Sequence, residues 1–159
     1  MTSLTRIIYT SACAPSLNGE TLKGLIKSAR GINAALCVTS MLVRSGDRFL
    51  QVLEGNPDTV DELFGRVSRD QRHSGVTVLV REHADQQLFG HWPLGFSVLS
   101  PAQVAVLSGA QNTGANELCL TELNVGRAKH LLSALTRAGD QSATTGRMAA
   151  ARTAARAAA

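Results

Sequence analysis

The sequence predicts an α+β fold with two helices laid on one face of a mixed sheet. Two observations predict it. Apolar patterns of period 2 and period 3.6 alternate in the order β-α-β-β-α-β-β, and helical stretches follow the last strand. That order is the one found in a ferredoxin-like sandwich, which hosts many unrelated activities, so the fold class by itself assigns none.

Residues 4–11 (LTRIIYTS) mix β-branched and aromatic side chains and read as the first strand. Residues 12–19 hold Pro15, Asn18 and Gly19 and form a loop, with Asn18 or Thr21 available to cap the next helix. In that helix Leu22, Leu25, Ile26 and Ala29 recur at helical spacing, and its end is expected near residues 31–33. Residues 36–44 and 48–54 are strands joined by the turn Ser45-Gly46-Asp47. In the second of these, Phe49, Gln51 and Leu53 share one face, and Leu50, Val52 and Glu54 share the other. Asn56 caps a helix whose stripe is Val60, Leu63, Phe64 and Val67 and which runs to about residue 70. Residues 76–82 and 96–99 complete the sheet. Pro93, just before the last strand, cannot donate a backbone hydrogen bond, which delays that strand or puts it at an edge. Residues 101–109 and 117–138 read as helices, the second carrying Leu120, Leu123, Ala128, Leu131, Leu132 and Leu135. The expected organisation is a domain over 1–100, a helical extension over 101–140, and a disordered or weakly helical Ala/Arg-rich tail over 141–159.

A chain of 159 residues, 44% hydrophobic and 18% charged, builds a core without staples. The net charge of +4 does not point to nucleic acid, because three of the four net positive charges come from Arg147, Arg152 and Arg156 in the tail. No apolar run spans a bilayer and no secretory leader precedes the first strand. Cys13, Cys37 and Cys119 sit among apolar residues and read as buried reduced thiols, which fits a cytoplasmic protein. They form no metal-like spacing with the histidines, and His73 and His91 read as structural or exposed. No nucleophile–base pair or phosphate loop marks an enzyme.

Gln51 is the unusual residue. If Phe49 and Leu53 point inward, so does its amide, and a buried amide left unpaired costs about 1–3 kcal/mol. Tyr9, on the first strand, has a hydroxyl with the same need. A Tyr9–Gln51 hydrogen bond satisfies both, and from the residues alone it is a structural pair. By the same spacing argument Arg66 and Asp70 form an i,i+4 salt bridge on the second helix, and Leu25 and Val67 are core residues.

Taken together, RIIYTS, SARGIN, VTSMLV, FLQVLEG, GRVSRDQRH and FGHWPLG resemble the BLUF family in order and spacing, over about residues 3–100. The resemblance implies a blue-light photoreceptor with no enzymatic output domain, holding a flavin between the two helices. FAD is the usual flavin, with FMN or riboflavin as alternatives, since the protein grips the ring and the tail reaches outward. It implies that Leu25 and Val67 sandwich the ring and that Asn33, Arg66 and Asp70 bond its polar edge. In the implied photocycle Tyr9 gives an electron and then a proton, the Gln51 amide rotates or tautomerises, and absorption shifts to the red. Trp92 and Leu94 are the implied next link, Trp92 pointing toward the flavin or away from it. Three positions depart from the pattern. Leu94 replaces a methionine that relays the switch, and Ile32 replaces a polar neighbour of Asn33. Cys37-Val38-Thr39-Ser40 replaces GITG, losing both glycines. The implied output is a change in contacts with a signalling protein, commonly within a homo-oligomer, for which Leu131, Leu132 and Leu135 are candidates. Their alternative role is packing on the open sheet face. The competing readings are a light-insensitive interaction module of the same fold and a small ferredoxin-like enzyme.

Overall fold

The computed structural model describes residues 3–14, 17 and 19–145. Their elements run β1 (Leu4–Cys13), α1 (Gly19–Ala35), β2 (Thr39–Ser45), β3 (Arg48–Gly55), α2 (Pro57–Arg69), β4 (His73–Ala84), β5 (Gly95–Val98), α3 (Pro101–Leu107) and α4 (Val125–Thr145). One mixed sheet has the order β4-β1-β3-β2-β5. β1 pairs antiparallel with β3 and β4, β2 antiparallel with β3, and β5 parallel with β2. The expected α+β sandwich is therefore present, and β5 lies at an edge, immediately after Pro93 and Leu94.

Both faces of the sheet are covered, by different partners. Ile7, Tyr9, Phe49 and Leu53 pack toward α1 and α2 with Leu22 and Val60. Ile8, Leu50 and Val52 pack on the opposite side against Val104, Leu120, Leu131 and Leu132. The strict alternation along β3 is the period-2 geometry of a strand. Leu131 and Leu132 are fully buried, so α4 uses them to close the second face of the sheet.

Several boundaries differ from expectation for local reasons. α2 starts as expected, with Asn56 accepting from the Asp58 N–H at 3.0 Å and Pro57 in its first turn. Asn18 lies outside the described residues, and Thr21 is inside α1, not its cap. α1 continues to Ala35 and closes with Val38 N–H donating to the Asn33 carbonyl at 2.9 Å and Cys37 N–H donating to that of Ala34 at 3.3 Å. This places Cys37 at the left-handed position that usually takes glycine, with φ of 54°. β2 consequently starts at Thr39 instead of residue 36. The turn also turns the Cys37 side chain out to solvent, and Cys13 and Cys119 are half-buried, so the cysteines are not the uniformly buried thiols expected. Residues 117–124 do not extend the last helix. They hold a short 3₁₀ turn at Leu120–Glu122 and Asn124, which caps α4 by accepting from Arg127 N–H at 2.9 Å. α4 runs to Thr145, five residues into the expected tail, and residues 146–159 lie outside those described.

The helix-covered second face also holds a buried charge network. Glu54 is fully buried and Arg6 is 6% exposed. Arg6 Nε donates to Glu54 at 2.8 Å and its Nη1 donates to Glu82 at 2.8 Å. The Leu88 and Phe89 N–H groups donate to Glu54 at 3.0 and 2.9 Å, and Lys129 from α4 donates to Glu82 at 3.0 Å. The network joins β1, β3, β4, the β4–β5 loop and α4. Removing one partner of a buried pair strands the other charge, so Glu54→Ala is expected to lower unfolding stability by about 3–5 kcal/mol, read from the shift in urea midpoint.

α2 ends at Asp70, which clamps the turn into β4. Its carboxylate accepts from Arg72 N–H at 3.0 Å, from Nε at 2.9 Å and from Nη2 at 2.6 Å. These bonds, the side-chain ones first, hold the Asp70 carboxyl down at about 2 from 3.8. The folded value lies below the unfolded one, so the contribution is present above about 3.8 and is lost as the pH falls toward about 2. Asp70→Asn is expected to flatten the acid-side fall in stability across that window, measured by urea unfolding at stepped pH.

Candidate functional site

β1 and β3 pair so that Tyr9 and Gln51 are direct register partners. Their side chains leave the same face of the sheet, beneath α1 and α2. The Tyr9 hydroxyl donates to Gln51 Oε1. The Gln51 Nε2 donates in turn to the Ser40 hydroxyl at 2.9 Å. Tyr9 is 1% exposed and its ring meets the edge of Phe64 at 5.3 Å. Burial pushes its pKa well above the ordinary phenol value, which keeps the hydroxyl protonated as a donor.

Above Gln51 a cleft of about 280 Å³ opens between α1 and α2, close to the roughly 300 Å³ lower end of small-molecule sites. Leu25 and Ile26 from α1 and Leu63 and Val67 from α2 form its apolar walls, while Leu42, Phe49, Leu53 and Leu94 form its floor. Polar groups enter from Asn33, Gln51, Arg66, Asp70, Arg72 and His73. Thus Leu25, Asn33, Gln51, Arg66, Val67 and Asp70 all meet at this cleft, as does Leu94. Tyr9 stands behind Gln51 and is not among the lining residues.

The polar groups are partnered differently from the spacing argument. Arg66 pairs with Glu62 at 2.8 Å and Asp70 with Arg72 at 2.6 Å, so the expected Arg66–Asp70 bridge is replaced by two others. Glu62 lies one turn before Arg66, and Arg72 reaches Asp70 because the chain reverses there. The Arg66–Glu62 pair is exposed at 59% and 66%, and exposed pairs of this kind contribute about 0–1 kcal/mol, so Arg66 can turn to a ligand at little cost. Asn33 is 4% exposed and its Nδ2 donates to the Pro93 carbonyl at 2.8 Å. An amide nitrogen has two donors, and these bonds use one each on Asn33 and Gln51.

Two lining or supporting residues were not foreseen in their roles. Ser40 faces Gln51 because it alternates with Thr39 and Met41 on β2, and a serine at that parity among apolar neighbours was the available signal. His73 lines the cleft and packs at 5.4 Å against Phe49, with Nδ1 3.0 Å from the Ser11 hydroxyl. Burial lowers its pKa, favouring the neutral ring. Ile32 stands at the cleft mouth, 44% exposed.

The segment before β5 divides its side chains between the two faces. Leu94 is 2% exposed and packs with Leu42 and Phe49 in the cleft floor. Trp92 packs on the opposite face with the α4-side core, its ring beside Gly90 and Gly95. The backbone between them is held by three donors: Ser40 N–H to Trp92 O at 3.3 Å, Asn33 to Pro93 O, and Arg30 Nε to Leu94 O at 3.0 Å.

A flat heteroaromatic ring with a polar edge fits this donor set, with apolar walls for its faces and the amides of Asn33 and Gln51 in the lining. Among the described residues no cluster of three or more His, Cys, Asp and Glu is arranged to hold a metal, and no helix is long and apolar enough to cross a membrane.

The chain resembles known proteins in sequence and in fold. The photoactivated adenylate cyclase subunit alpha of Euglena gracilis is 32% identical over 93 residues, 57% of this chain and 9% of that protein. The blue light- and temperature-regulated antirepressor BluF of Escherichia coli is 28% identical over 87 residues, 55% of this chain and 22% of that protein. The chain thus spans about a tenth of the length of the cyclase relatives and about a fifth of the antirepressor. Among solved structures, BlsA in its photo-activated state superposes with a TM-score of 0.74 at 24% identity, covering 84% of this chain and 94% of that one. BlrB in its dark state superposes with a TM-score of 0.70 at 21% identity, covering 87% and 98%. At these identities the two structures speak for the fold. The sequence model of the family described as "Sensors of blue-light using FAD" matches residues 4–95, more than half of the chain. The chain belongs to the BLUF family.

Proposed function

We propose that the chain is a flavin-binding blue-light sensor whose reporting unit is the hydrogen-bonded pair Tyr9 and Gln51. The observation that carries this reading is that the buried Tyr9 hydroxyl bonds to an amide, Gln51, that itself lines the cleft. Leu25 and Val67 would cover the two faces of the isoalloxazine ring, and Asn33, Gln51, Arg66 and Asp70 would hold its polar edge. When bound, the flavin supplies the blue absorption and, once excited, an electron acceptor.

The residues do the rest. Tyr9 is the chain's one phenol, so it alone among the tyrosine positions can release an electron together with its proton. The proton has a ready acceptor in Gln51 Oε1, with which the hydroxyl already bonds. The Gln51 amide has chemically distinct ends, so rotating or tautomerising it exchanges a donor for an acceptor at the cleft wall. Tyr9 is almost wholly buried, so its hydroxyl has no competing solvent partner.

FAD is the flavin that the family description supports, and a cleft of this size suits the ring with the remainder outside, which leaves FMN or riboflavin usable. Output is proposed to pass by contact to a signalling protein in the cytoplasm, with the chain as a homo-oligomer and without catalysis of its own. The antirepressor relative supports contact-based output, while the cyclase relatives couple a matching region to an enzyme. The segment 101–140 is proposed as the extension that covers the second sheet face and conveys the change.

The alternative, a light-insensitive interaction module, draws on Leu94 and Ile32. Illuminating the FAD-loaded protein is expected to shift its flavin absorption to the red, with return in the dark. Tyr9→Phe is expected to retain bound flavin and lose the shift. A protein that stays colourless with FAD, FMN and riboflavin would reject the sensing reading, and bound flavin without a shift would favour the alternative.

A further inference from the structure

We infer that Ser40 is a positioning residue for the Gln51 amide and sets how long its rearranged state lasts. This rests on the proposed light-driven rearrangement of that amide. Ser40 is 1% exposed, and its hydroxyl is the partner of Gln51 Nε2 at 2.9 Å, on the side of the amide away from Tyr9. With Tyr9 donating to Oε1 and Ser40 accepting from Nε2, the amide is clamped at both ends in one orientation.

A hydroxyl is both donor and acceptor and rotates to suit. After the amide turns over, Oε1 replaces Nε2 at the Ser40 position, and the same hydroxyl donates where it had accepted. Ser40 therefore stabilises both planar orientations. The amide midway through its turn points neither end at Ser40, so the hydroxyl stabilises that intermediate arrangement least. Its effect is to raise the barrier between the two orientations without choosing between them. A merely structural role for a satisfied core hydroxyl would change stability and leave this barrier alone.

Removing the hydroxyl is expected to speed interconversion by about three- to tenfold, the factor corresponding to one net hydrogen bond. The test compares wild type, S40A and S40T. With FAD bound, S40A is expected to show a red shift of wild-type size and a dark recovery faster by that factor, with S40T, which keeps a hydroxyl, close to wild type. Unchanged or slower recovery in S40A would overturn the inference. Independently of flavin, hydrogen exchange of the Gln51 side-chain N–H groups, followed by NMR on labelled protein in the dark, is expected to show one protected N–H in wild type that loses protection in S40A. Equal exchange in both proteins would also overturn it. If wild type shows no red shift, the sensing reading fails, and the exchange measurement by itself decides whether Ser40 positions the amide.

Discussion

The Gln51 amide is held in the cleft wall by a hydrogen bond to Oε1 from the Tyr9 hydroxyl, and that bond depends on strand register. Tyr9 meets Gln51 only because β1 and β3 pair with Ile7 opposite Leu53 and Ile8 opposite Val52. Each of these pairs is buried on its own side of the sheet. Slipping β3 by one residue would send Gln51 to the α4 side and bring Val52 or Leu50 under the cleft. It would also separate Glu54 from Arg6. The register is thus pinned twice, by apolar burial on both faces and by a buried ion pair, and the amide's position follows from it.

The two sides of the sheet solve different problems with the same strands. Under α1 and α2 the polar groups nearest the sheet are neutral and exchangeable, namely a phenol, two amides, two serines and an imidazole, while the charges of Arg66, Asp70 and Arg72 sit in the more exposed part of the cleft lining. On the α4 side it is ionic and fixed, with Arg6 bonded to Glu54 and Glu82 and with Lys129 on Glu82. Neutral hydrogen-bonded groups can trade partners at modest cost, whereas a buried charge that loses its partner is heavily penalised. One side is suited to rearranging and the other to staying put. The segment from Trp92 to Leu94 spans both, with its backbone tied to Ser40, Asn33 and Arg30.

The strand and helix order, the facing of β3, the Asn56 cap and the Tyr9–Gln51 pair were legible in the sequence, because each follows from local periodicity or from a polar group that burial forces to find a partner. The flavin was legible only through resemblance, since Leu25 and Val67 look like any core residues. What escaped was set by chain reversal. Asp70 takes Arg72 and not Arg66 because the helix ends there and the next residues fold back. Cys37 is exposed because a left-handed turn, which normally selects glycine, points its side chain outward. The direction of Trp92 is decided by packing against Met41 and α4, elements far from it in the chain.

The chain has one tyrosine and one tryptophan, and the sheet lies between them. Tyr9 belongs to the cleft side and Trp92 to the α4 side. Each face therefore carries a single native optical label of its own kind. Isotope or fluorine incorporation at tyrosine reports the photoactive side without background, and indole emission reports the other. The order in which the two signals change gives the direction in which a disturbance crosses the sheet, with no position of the sequence substituted.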